Sequence, residues 1–83
     1  MNLIETGFEG CFVIEPIIFE DQRGFFFETF NQEKFQKLVG KQINFVQDNM
    51  SYSNKDVLRG LHYQNANFSQ AKLINVFHGE VLD

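Results

Sequence analysis

The chain has 83 residues, seven basic and eleven acidic, with a net charge of −4. A length of this order allows at most one domain, and a small one buries only a modest share of its surface, so a partner or further sequence is expected to support it. The negative balance argues against non-specific binding to nucleic acid or to an anionic membrane surface. Cys11 is the single cysteine and cannot form an internal bridge, no signal-peptide pattern opens the chain, and no apolar run reaches the roughly 18–20 residues of a membrane span. The expected location is the cytoplasm.

Eleven phenylalanines, many at alternating positions, fit a sheet-on-sheet core. In chain order, residues 11–15 read as a short strand that Pro16 limits to an edge or an end. Residues 20–24 form a polar turn, and the strand pattern resumes from Gly24 to Thr29. A helix follows over about 31–39: Asn31 is the N-cap, Glu33 lies in the first turn, Phe35, Leu38 and Val39 make an apolar stripe, and Gly40 ends it. Strands are expected over residues 43–51, 57–64 and 70–78, separated by a turn at 53–56 and a polar loop at 65–69. Gly79-Glu80 then turns into Val81-Leu82-Asp83, which reads as the opening of another strand. Six or so short strands predict an all-β sandwich, jelly roll or barrel. A closed jelly roll uses about eight, so part of the sheet is expected to come from elsewhere.

His62 and Arg59 lie in Val57-Leu58-Arg59-Gly60-Leu61-His62-Tyr63-Gln64. Histidine titrates near pH 6.5 when unperturbed, about right for a general base, although a lone strand histidine is more often a hydrogen-bonded structural residue. Strict alternation sets Arg59 and His62 on opposite faces; a bulge at Gly60 would bring them to one pocket. Lys72 alternates with Ile74 and Val76, which places it either inward, as a paired or functional lysine, or on a solvated edge. Gln47 and Asn49 share a strand face and offer amide donors and acceptors, with Asp48 pointing the other way. Arg23 in its charged turn and Glu28 beyond it are unspecific taken singly. No His-x-His pair is present to suggest a metal, and there is no nucleophile elbow, phosphate loop or cysteine cluster.

Taken together, Glu15-Pro16, Phe19-Glu20-Asp21-Gln22-Arg23-Gly24-Phe25-Phe26-Phe27-Glu28, Phe45-Val46-Gln47-Asp48-Asn49, Val57-Leu58-Arg59-Gly60-Leu61-His62-Tyr63-Gln64, Gln70-Ala71-Lys72-Leu73 and Gly79-Glu80-Val81-Leu82-Asp83 resemble the dTDP-4-dehydrorhamnose 3,5-epimerase family. The resemblance covers nearly the whole chain and corresponds to the family's N-terminal half. It implies an incomplete cupin-type jelly roll without metal or other cofactor. The activity implied is inversion of C3 and C5 of dTDP-4-dehydro-6-deoxy-D-glucose on the way to dTDP-L-rhamnose.

By the same resemblance His62 is the base, Lys72 holds the C4 oxygen and Asp83 lies in the catalytic pocket. Arg23 and Arg59 meet the diphosphate, while Phe26, Glu28, Gln47, Asp48 and Asn49 line the substrate. The implied partners are the dTDP-sugar nucleotide and either a second copy of the chain, as a homodimer lending residues of the Arg23 to Glu28 region, or a complementing C-terminal cupin half. The family's tyrosine acid and the carboxylate that orients its histidine belong to that half, and Tyr52 and Tyr63 do not stand at the tyrosine's place. Asp56 replaces a glycine usual before Val-Leu-Arg-Gly. The competing readings are a nucleotide-sugar-binding or assembly module without turnover, and a sister dTDP-sugar 3,4-ketoisomerase.

Overall fold

The computed structural model describes residues 1–65 and 70–83, so Ala66 to Ser69 of the expected polar loop lie outside the described residues. It resolves into two units, Met1–Asn44 and Phe45–Asp83.

The first unit holds two antiparallel hairpins and one helix. Strands β1 (Asn2–Glu5) and β2 (Phe12–Glu15) pair in the register Leu3 opposite Ile14 and Glu5 opposite Phe12. Side chains alternate along each strand, so Leu3 and Ile14 share a face, and both are half-buried. The connection between the strands is closed by Thr6, whose Oγ1 accepts the Phe8 N–H at 3.1 Å and donates to the Cys11 carbonyl at 2.8 Å. A hydroxyl thus closes a loop whose backbone groups have no ladder partner.

Strands β3 (Phe19–Asp21) and β4 (Gly24–Phe26) form the second hairpin, with Phe19 opposite Phe26 and Asp21 opposite Gly24. Gly24 has φ 129°, a backbone conformation that a side chain disfavours. Phe25 and Phe27 stack with ring centroids 6.1 Å apart.

Helix α1 (Gln32–Val39) matches the expected span. The Asn31 side chain caps it by accepting the Lys34 N–H at 3.0 Å. At the other end Gly40 turns left-handed with φ 77°, and its N–H donates to the Gln36 carbonyl. The helix packs against β1. Phe35 is the buried hydrophobic residue at the centre of this unit, its ring tilted against that of Phe30 at 5.7 Å. Gln32 ties down the chain beyond the helix through its Nε2, 2.6 Å from the Ile43 carbonyl.

In the second unit the turn at 53–56 is present: the Val57 N–H donates to the Asn54 carbonyl at 3.3 Å, and Asp56 takes φ 65°. Asp56 therefore occupies a left-handed position where glycine is the least strained choice, in line with the substitution noted above. The three strands expected over 43–51, 57–64 and 70–78 are not formed among the described residues. Their side chains still alternate in polarity, but a strand exists only as a member of a ladder, and these segments find no ladder partner among the described residues. β1, whose four residues carry little alternation, is not among the expected strands, and β3 overlaps the residues expected as a turn.

If the helix depends on its cap, Asn31→Ala lowers the stability of the first unit by about 1 kcal/mol. Urea denaturation followed by circular dichroism at 222 nm measures this, and an unchanged midpoint would show the cap to be idle.

Candidate functional site

The expected site residues fall in both units. Arg23, Phe26 and Glu28 belong to the first; Gln47, Asp48, Asn49, Arg59, His62, Lys72 and Asp83 belong to the second.

Arg23 sits in the two-residue turn between β3 and β4. Its backbone N–H donates to Asp21 Oδ1 at 2.8 Å, and its Nε and Nη2 both reach Asp21 Oδ2. One carboxylate thereby closes the turn and holds the guanidinium. The Arg23 hydrogen bonds keep the Asp21 carboxyl below the ordinary aspartate range, and Asp21 in turn raises the Arg23 guanidinium. The face of the guanidinium remains open to solvent and able to meet an anion. Phe26 is exposed by 72%, an aromatic surface with no cover from the rest of its unit.

Glu28 lies between β4 and α1. Its Oε1 accepts from Lys34 Nζ at 3.0 Å and its Oε2 from Asn31 Nδ2 at 3.4 Å. The Lys34 bond, then the Asn31 bond, hold its carboxyl below the ordinary glutamate range.

In the second unit His62 and Lys72 are brought together. They line one open pocket of about 350 Å³ with Tyr63, Gln64 and Gln70. This volume is at the lower end of small-molecule sites. Gln47, Asp48 and Asn49 are exposed and are not part of that lining. Arg59 is also outside it: its Nε donates to Ser53 Oγ at 2.7 Å and its Nη2 to the Tyr52 carbonyl at 2.9 Å. Gly60 has φ 131°, but with no strand formed over 57–64 the expected bulge has no ladder to sit in, and the guanidinium turns to the 52–53 segment. Asp83 is exposed. Tyr63, Gln64 and Gln70 were not expected at the pocket; their presence beside His62 and Lys72 in the same two motifs was the available signal. Among the described residues no group of three or more His, Cys, Asp or Glu side chains is placed to hold a metal ion. No helix among them is long and apolar enough to cross a membrane.

Short antiparallel hairpins with one helix among the described residues are consistent with part of a cupin-type jelly roll, and the structural match below carries that class. A crystal structure of dTDP-4-dehydrorhamnose 3,5-epimerase from Elizabethkingia anophelis NUHP1 matches it with a TM-score of 0.75 and 48% identity, covering 83% of this chain and 38% of that one. The profile of the dTDP-4-dehydrorhamnose 3,5-epimerase family matches residues 5–83. The enzyme of that name from Escherichia coli K12 is 49% identical over 83 residues, all of this chain and 45% of the relative. The one from Shigella flexneri is 51% identical over 83 residues and 46% of its length. The chain belongs to the dTDP-4-dehydrorhamnose 3,5-epimerase family, and it spans somewhat under half the length of these curated relatives.

The Asp21–Arg23 geometry has a consequence in acid. A carboxyl depressed on folding stabilises the turn above its unfolded pKa of about 3.9, and that contribution is lost as pH falls through the lower folded value. The Arg23 amide resonance is therefore expected to titrate with a midpoint below about 3.9. A midpoint at or above it would mean that the turn is not held by this carboxylate.

Proposed function

We propose that the chain supplies the base and the oxyanion-stabilising cation of a dTDP-sugar 3,5-epimerase, and that turnover requires the remainder of the fold, whether from the same polypeptide or from another. The observation that supports this reading is the shared pocket of His62 and Lys72 in a member of this family. A proton beside a ketone leaves only if the developing enolate oxygen is stabilised. His62 takes the proton from C3, and then from C5, while the Lys72 ammonium meets the negative charge at the C4 oxygen. Reprotonation from the opposite face inverts each centre. Asp83 is assigned to the same catalytic pocket.

The diphosphate is assigned to Arg23 and Arg59, whose planar forks match phosphate oxygens. Each is held at present by groups of its own neighbourhood, Asp21 for one and Ser53 with the Tyr52 carbonyl for the other. Phe26, Glu28, Gln47, Asp48 and Asn49 are assigned to the nucleotide and sugar. The exposed phenylalanines and the unpaired edges of both hairpins are reasons for pairing with another chain, either a second copy or a complementing C-terminal cupin half.

Alone, the chain is expected to bind a dTDP-sugar weakly and to epimerise it slowly or not at all. A histidine that depends on an orienting carboxylate loses about 10⁴ in rate without it. An absent acid costs about 10²–10⁴ more. Single-turnover incorporation of solvent deuterium at C3 and C5 tests this, with the 83-residue chain alone and mixed with the C-terminal half of a relative. Restoration by the added half, abolished by His62→Ala and reduced about 10²–10³-fold by Lys72→Ala, is the expected result. Full-rate exchange by residues 1–83 alone would refute the need for the remainder of the fold. Binding with no exchange in the mixture would leave a nucleotide-sugar-binding module, and a 3-keto product would indicate the ketoisomerase.

A further inference from the structure

The first turn of α1, its cap and Glu28, three residues before the cap, form a small closed network. Asn31 uses its two amide atoms for different tasks: Oδ1 accepts the Lys34 N–H and caps the helix, while Nδ2 donates to Glu28 Oε2. The Lys34 side chain, one turn along, reaches back to Glu28 Oε1. Both oxygens of Glu28 are thus held from one helix end, one by a cation and one by a neutral amide. Glu28 and Asn31 are half-buried, so the carboxylate is shielded on the helix side. Among the described residues Lys34 is the charged group against Glu28.

We propose that Lys34 is a positioning residue for Glu28, and through it for the nucleotide; this rests on the assignment of Glu28 to the nucleotide site above. A carboxylate near a nucleoside diphosphate on a chain of net charge −4 would repel the ligand. Lys34 removes that penalty by neutralising Glu28 locally without protonating it, so the carboxylate stays an acceptor for N–H or O–H donors of the base or sugar. Asn31 fixes the second oxygen and with it the direction of the free lone pairs. The helix cap and the ligand-facing carboxylate are therefore one unit, and the identity of residue 34 matters to binding although its side chain is largely exposed.

The test is ¹³C-carboxyl NMR titration of Glu28 in the 83-residue chain, beside dTDP binding measured across the acid range, for the parent, Lys34→Met, Lys34→Arg and Lys37→Met. Lys37 pairs with Glu33 on the same helix and controls for loss of a helix lysine. In Lys34→Met the Glu28 midpoint is expected to rise toward about 4.3, and the acid limb of dTDP binding is expected to rise with it. Affinity at pH 7 is expected to fall about two- to five-fold, the scale of an exposed ion pair. Lys34→Arg restores both readouts and Lys37→Met moves neither. An unchanged Glu28 midpoint in Lys34→Met, with dTDP still bound, overturns the role of Lys34 alone. A shifted midpoint with no dTDP binding by the parent, either alone or with the C-terminal half of a relative added, overturns the nucleotide assignment on which it rests.

Discussion

A β-strand has no stability of its own: its N–H and C=O groups must be paired along the ladder and its apolar face must be covered. That requirement governs what is formed in this chain. In the first unit, β1 and β2 meet it for each other, helix α1 packs on β1, and Phe35 is buried. The second hairpin meets the ladder requirement only between its own two strands, and Phe19, Phe25 and Phe26 remain exposed. In the second unit the requirement is not met among the described residues, and no strand forms there. Two-stranded pieces are marginal in water, so the phenylalanine-rich faces are surfaces with an unfilled partner.

The same limit shapes the site. His62 and Lys72 come from two segments whose alternation marks them as strands, and they already share a pocket before any ladder fixes them. An unpaired segment holds a side chain to no better than its own backbone allows, whereas proton abstraction needs reacting groups fixed to a fraction of an ångström. Under the proposed function, pairing with the remainder of the sheet would therefore do two things at once, covering the apolar faces and fixing the base and the cation. In contrast, the groups around Glu28 and Arg23 are ordered by local hydrogen bonds and need no distant partner.

Local chemistry was what the sequence made legible. Asn31, Glu33 and Gly40 announced the helix to within a residue, because caps act through neighbours in the chain. The turns at 21–24 and 53–56 were read from their Gly, Asn and Asp content, and Asp56 adopts the left-handed conformation that its place in the motif implied. The family's motif blocks carried the identification, and His62 and Lys72 line one open pocket. The strands of residues 43–78 were read from alternation, which reports what a segment favours when paired and nothing about whether a pair is at hand. Arg59 has no ladder to orient it among the described residues, and its guanidinium bonds to Ser53 and the Tyr52 carbonyl. Lys34 escaped notice because a lysine in the first turn of a helix gives no sign of the carboxylate six residues before it.

That residues 43–51, 57–64 and 70–78 become strands only when the remainder of the sheet supplies the ladder is most directly tested by amide hydrogen exchange. The dilute 83-residue chain should show protection within β1, β2 and α1 and near-random-coil exchange over those three segments, with protection appearing in them when the C-terminal half of a relative is added. Strong protection of the three segments in the dilute chain alone, at a concentration where sedimentation finds a monomer, would contradict it.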